Sequence, residues 1–148
     1  MLNLKREYEY SYDYNNRLIL VSRYNTVNEK EVLISFEYDS LGRRISKKVG
    51  NQLVEYIYYG NDVIEETLST VNPTNGVRVK KEMREYTYGR GGTDDVVSMV
   101  LSTYDRVKKI DVLVSTASYY YEKDHLGSVV RITTSTGTIV DEYSYTVF

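Results

Sequence analysis

In Tyr8-Glu9-Tyr10-Ser11-Tyr12-Asp13-Tyr14, a tyrosine stands at every second position of a polar stretch. Side chains alternate between faces only along an extended strand, so this spacing puts all four rings on one face of a sheet. The pattern returns as Val32, Ile34, Phe36 and Tyr38, and again as Val54, Tyr56 and Tyr58. Aromatic-x-Tyr pairs stand at 10/12, 36/38, 56/58, 86/88, 119/121 and 143/145, and their second members are 26, 20, 30, 33 and 24 residues apart. Each interval is long enough for one β-hairpin, so the sequence reads as an array of hairpins rather than a fold with one unique core.

Composition points the same way. There are 17 tyrosines against two phenylalanines and no tryptophan, and the single alanine is Ala117. Val, Ile, Thr and Tyr suit a pleated, half-buried surface, and the sole proline, Pro73, leaves few strand breakers. The 148 residues amount to one ordinary domain. With 41% hydrophobic and 27% charged residues, neither a disordered chain nor a membrane span is indicated. The start, MLNLKREYEY, has no apolar signal-peptide core. A net charge of -2 argues against a nucleic-acid partner, which needs a basic patch. The one basic cluster, Arg43-Arg44 with Lys47-Lys48, reads as a solvated strand face. The lack of cysteine removes disulfides, thiol catalysis and the common zinc sites.

Turn chemistry follows the tyrosine pairs. Asp13 and Asp39 start turns by accepting backbone N–H groups two residues on, while Asn16 and Gly42 close them with positive φ. Gly50-Asn51, Gly60-Asn61, Asn75-Gly76 and Ser135-Thr136-Gly137 mark further turns. The expectation is an all-β antiparallel meander of ten to twelve strands. Two longer connections are expected to interrupt it, one from Gly89 to Asp95 and one from Tyr104 to Lys109.

These residues resemble a known repeat. YSYDYNNRL at 10–18 and FEYDSLGRRI at 36–45 are similar to the YD repeat, Tyr-x-Tyr-Asp-x-x-Gly-Arg-Leu. The match rests on Tyr12, Asp13 and Arg17, with Asn16 in place of glycine, and on Tyr38, Asp39, Gly42 and Arg43. YEKDHLGSVVRITTSTGTIVDEYSY resembles the start of the Rhs-repeat-associated core, through Asp124, His125, Leu126, Gly127 and Ser128. On this resemblance the chain is one β-strip over 1–148: regular YD repeats at 1–66, irregular hairpins with long loops at 67–118, and the beginning of the Rhs core at 119–148. The family comprises Rhs polymorphic toxins, the C subunit of Tc toxins and teneurins. It implies a spiralling, curved strip that forms part of a β-shell around a C-terminal toxin domain. It also implies a bacterial parent protein that is secreted or attached to the cell surface. Self-cleavage in Rhs and Tc C proteins depends on downstream aspartates, and no Asp-Pro-x-Gly sequence occurs here.

Chemistry-bearing alternatives are weaker. Asp124, His125 and Ser128 contain the residue types of a hydrolytic triad, but neighbours in sequence diverge in space, and no Gly-x-Ser-x-Gly elbow is present. The expectation is a turn in which Asp124 starts, Leu126 packs and Gly127 takes a left-handed conformation, with His125 bonded to a backbone carbonyl or a tyrosine hydroxyl. The loop YGRGGTDD at 88–95 lacks the Gly-Lys-Ser/Thr of a phosphate loop. Asp94-Asp95 and Glu65-Glu66 lack the alternating aspartates of a calcium loop. No catalytic residue, cofactor or metal is therefore expected, and the chain reads as non-enzymatic. The tyrosine face packs across strands on this reading, each aromatic pair contributing roughly 0.2–1 kcal/mol. Glycan binding by the same face at a cell surface is the second reading. The expected partners are the rest of the shell and its enclosed toxin. The outermost strands, with unpaired backbone, also invite edge-to-edge self-association.

Overall fold

The computed structural model describes residues 8–24, 29–90 and 95–145. Among these, eleven strands form one antiparallel sheet whose spatial order is their order in sequence. They are β1 (Tyr8–Tyr12), β2 (Leu18–Tyr24), β3 (Lys30–Tyr38), β4 (Arg44–Val49), β5 (Gln52–Tyr59) and β6 (Asp62–Val71), followed by β7 (Arg78–Tyr88), β8 (Val96–Val107), β9 (Ile110–Lys123), β10 (Val129–Thr134) and β11 (Ile139–Glu142). This is the expected meander, and it is open, since β1 and β11 do not pair. Every strand pair except β4–β5 contains a register shift. Bulges of this kind bend a strand and increase its right-handed twist, so they curve the strip.

The register fixes which side chains share a face. Phe36 pairs with Lys47, Lys47 with Val54, Val54 with Leu68 and Leu68 with Glu82. One row along, Tyr86 pairs with Met99 and Met99 with Tyr119. Alternation from these rows puts Tyr10, Tyr12, Tyr38, Tyr56, Tyr58, Tyr86, Tyr88, Tyr119, Tyr121, Tyr143 and Tyr145 on a single face. The tyrosine array therefore holds its register across the whole sheet.

The opposite face carries small hydroxyl side chains in the shadow of long ones. Ser46 lies between Glu37 and Glu55, Thr67 between Glu55 and Met83, and Ser102 between Met83 and Thr116. Ser22, Ser46, Thr67, Ser69, Ser102 and Thr133 are all buried on this face, whereas Val21 and Leu53 are the only buried apolar side chains among the described residues. Among the described residues no second layer covers either face. The accessible surface, 11073 Å², exceeds the roughly 7,800 Å² that a compact monomer of 17.2 kDa exposes.

One expected connection is corrected. Residues 104–107 do not form a loop but continue β8 to Val107, which pairs with Ile110. Lys108 (φ 49°) and Lys109 (φ 71°) make the whole turn. A two-residue hairpin turn needs positive φ at both positions and usually announces itself as Asn-Gly. Lysine hides the signal and carries a conformational cost. Replacing Lys108-Lys109 with Asn-Gly is expected to raise the melting temperature, by the equivalent of about 1 kcal/mol, as read by circular dichroism melts.

The aspartate turns and the tyrosine face as candidate functional site

A two-strand repeat sends every second turn to the same rim of the sheet. The turns at 13–17, 39–43, 60–61 and 124–128 share one rim with the end of β7 and the start of β8, and the other described turns lie at the opposite ends of the strands. Three turns of the first rim have the same construction. Asp13 Oδ1 accepts the amides of Asn15 (2.9 Å) and Arg17 (3.0 Å), while Asp39 Oδ1 accepts those of Leu41 (2.9 Å) and Arg43 (2.9 Å). Asp124 Oδ1 accepts those of Leu126 (2.8 Å) and Ser128 (2.9 Å). In each, the second residue before the return strand has positive φ: Asn16 at 60°, Gly42 at 84° and Gly127 at 85°. Asparagine tolerates this conformation by bonding locally, and glycine meets no steric penalty there.

The arginine of the repeat has two partners. Arg17 Nε donates to Asp13 Oδ2 (2.7 Å), and Arg43 Nε to Asp39 Oδ2 (2.7 Å). The same guanidinium then reaches the next hairpin. Arg17 lies 4.8 Å over the Tyr38 ring and donates to the Asp39 carbonyl (3.1 Å). Arg43 lies 4.8 Å over Tyr58 and donates to the Gly60 carbonyl. A tyrosine hydroxyl answers in the opposite direction. Tyr38 donates to the Leu18 carbonyl (2.9 Å), Tyr58 to Arg44 (2.8 Å), Tyr88 to Val63 (2.7 Å) and Tyr145 to Val129 (2.7 Å). Tyr12, on the outermost strand β1, is exposed. The sequence displayed every member of this relay, yet it gave no sign that arginine and tyrosine reach from one hairpin to the next.

A second polar cluster lies mid-face. Glu66 Oε2 accepts the Tyr86 hydroxyl (3.0 Å) and lies 3.4 Å from an Arg84 guanidinium nitrogen, whose other nitrogen donates to Glu82 (2.7 Å). Burial, reinforced by the Glu66 carboxylate, pushes the Tyr86 phenol far above its ordinary value. Burial also raises Tyr56, Tyr58 and Tyr121. The Tyr58 and Tyr86 hydroxyls stay neutral, as their roles as donors to Arg44 and Glu66 require.

Two expectations for the turn at 124–128 are corrected. Leu126 does not pack; it is 77% exposed at the tip of its turn. His125 is exposed and forms no hydrogen bond to any described residue, so it does not lock the turn. The Asp124 carboxylate is occupied by backbone amides and does not orient the imidazole, so the three residues do not form a triad. Glu65 and Glu66 point to opposite faces and do not ligate one ion together. Residues 91–94 of the glycine loop, including Asp94, lie outside the described residues, while Asp95 pairs with Lys123 (2.5 Å).

No protein-family profile matches the chain. It is 26% identical over 139 residues to the tRNA3(Ser)-specific nuclease WapA of Bacillus spizizenii, covering 94% of this chain and 5% of that protein. It is 28% identical over 141 residues to the tRNA nuclease WapA of Bacillus subtilis, with the same coverage of both. Its turns at Tyr12-Asp13 and Tyr38-Asp39 resemble the YD repeat. The chain thus spans about one-twentieth of the length of these curated relatives. Among solved structures it is similar to TcdB2-TccC3 without the hypervariable C-terminal region, at 16% identity and a TM-score of 0.49, over 86% of this chain and 8% of that one. It is also similar to the Photorhabdus luminescens Tc holotoxin pore, at 13% identity and a TM-score of 0.47, over 88% and 8%.

The repeat turns have a pH signature. At Asp13 the Arg17 amide leads the stabilisation of the carboxylate; burial opposes it, and the Arg17 side chain adds to it. At Asp39 burial raises the pKa, but the Arg43 amide and guanidinium together outweigh it. Both carboxyls therefore fall below the ordinary 3.8. A depressed folded value contributes stability above the unfolded pKa, and that contribution is lost as pH falls through the folded value. The D13N/D39N variant is expected to melt below wild type at neutral pH, with the gap shrinking once pH drops under 3.8. A gap that stays constant across a pH series of melts would count against the charged-turn account.

Proposed function

We propose that the chain is a non-enzymatic wall segment of an Rhs-type β-shell, and that the shell encloses a C-terminal toxin domain. The mechanism is containment: a hydrogen-bonded sheet separates the enclosed domain from its surroundings. One observation carries the reading. The sheet is a single layer, joined hairpin to hairpin along one rim, with a continuous tyrosine face and almost no core of its own. Such a strip suits a wall that extends by adding hairpins, as repeat architectures do. The similarity to the WapA nucleases along nearly the whole chain supports placement in a much longer protein that acts as a nuclease, and the resemblance to Rhs proteins makes that parent a secreted or cell-surface toxin on this reading. No helix among the described residues is long and apolar enough to cross a membrane.

The tyrosine hydroxyls favour packing over the alternative of glycan recognition. Those of Tyr38, Tyr58, Tyr88 and Tyr145 donate to backbone carbonyls, and that of Tyr86 donates to Glu66. A sugar would have to displace these bonds within the sheet.

The test uses a full-length protein that carries this strip. Limited proteolysis should spare the C-terminal domain in the wild type and remove it sooner in a D39A/R43A variant, which loses one turn and its link to the next hairpin. Digestion of the wild-type domain as fast as the isolated domain would overturn containment.

A further inference from the structure

Besides the two outermost strands, the sheet leaves one long stretch of strand edge open. Strand β9 is its longest, at 14 residues, yet β10 covers only part of it. The lowest pair between them is Tyr119 with Thr134, after which the chain turns back at 135–138 into β11. Ile110 to Ser118 pair with β8 on one side and with no described strand on the other. Residues 112–117 are all exposed, including Val112 (43%), Leu113 (54%) and Val114 (65%).

This edge lacks the usual defences. Natural sheets blunt a free edge with lysine, proline or an inward charge, or by twisting it away. The sequence IDVLVSTAS at 110–118 has no lysine or proline. Its one charge, Asp111, is turned back into the sheet: Oδ1 binds Arg106 (2.8 Å) and Oδ2 accepts the Lys80 amide (3.3 Å). The β-bulge at Val114 twists the edge but places no charge on it. The outermost strands differ, since β1 presents Glu9 and β11 presents Asp141 and Glu142.

We propose that the open edge of β9 is an interaction surface for a second copy of this chain, which pairs with it antiparallel through the same segment. A twofold axis normal to the sheet relates the copies and keeps both tyrosine faces on one side. Antiparallel pairing sets the segment against itself, so an uncharged stretch meets no like charge, whereas β11 would oppose its own carboxylates. With the axis near Leu113, Ile110 of the second copy falls opposite Thr116. That position stops short of the Tyr119–Thr134 pair, so β10 keeps its place in both copies. Backbone hydrogen bonds and the exposed Val112, Leu113 and Val114 side chains supply the contact, as in β-augmentation. This pairing stands whether or not the chain lines a shell.

Sedimentation velocity of the purified chain over a dilution series tests it. Wild type should show a doubled mass that reverts to the monomer on dilution. V114K and T116K, both at exposed positions, should each be monomeric throughout with unchanged far-UV circular dichroism, while I139K on β11 should still dimerise. Hydrogen exchange at 110–117 should slow in the dimer, a readout that holds even if one lysine variant fails to fold. A wild type monomeric at its highest concentration would overturn the proposal. So would a dimer that survives V114K and T116K, or one that only I139K dissolves.

Discussion

A sheet with no second layer cannot rely on a core. In this chain Val21 and Leu53 are the only buried apolar side chains among the described residues. The hydrophobic term that dominates most domains is correspondingly small. Order must come from contacts within the layer: strand pairing, side chains packed across neighbouring strands, and the relay along one rim. That relay adds side-chain bonds between neighbouring strands that belong to successive hairpins, β2 with β3 and β4 with β5. Arg17 and Tyr38, or Arg43 and Tyr58, join successive hairpins and fix how each sits against the next.

The repeat sequence follows from this constraint. The aspartate holds two amides of the turn and the arginine together, and the residue with positive φ lets the chain reverse within four residues. The arginine stacks on the next tyrosine, and that tyrosine returns a hydroxyl bond to the residue after the arginine. Remove any one and the others lose a partner. The rim also shows how far the pattern can decay. At Gly60-Asn61 the aspartate is gone, yet Gly60 still receives Arg43, and Tyr88 still reaches Val63. At Ser128 the arginine is gone, yet Tyr145 still reaches Val129. The hydroxyl-to-carbonyl bond persists where the turn chemistry does not.

Much of this was legible in the sequence because it rests on short-range rules. Period-two tyrosines give the face, and Asp-x-x-Gly or Asp-x-x-Asn gives the turn. What stayed hidden depends on distance in sequence. The Arg84–Glu66–Tyr86 cluster and the reach of Arg17 to Tyr38 require knowledge of register, and register here is interrupted by a bulge in nearly every strand pair. The Lys108-Lys109 turn was hidden for another reason: strand pairing on both sides forces positive φ on residues that do not favour it. Leu126 reads as a packing residue and His125 as a hydrogen-bonded one, but the tip of a tight turn holds both out into solvent.

The central claim is that hairpins are coupled through the rim rather than through a core, and that the same coupling lets a thin strip serve as a wall. A double-mutant cycle between Arg17 and Tyr38 measures this directly. Urea unfolding of wild type, R17A, Y38A and the double variant should yield a favourable coupling of about 0.5–1 kcal/mol, as expected for a stacked guanidinium. Strictly additive losses would mean that the Arg17–Tyr38 contact adds no coupling between hairpins and would contradict the account.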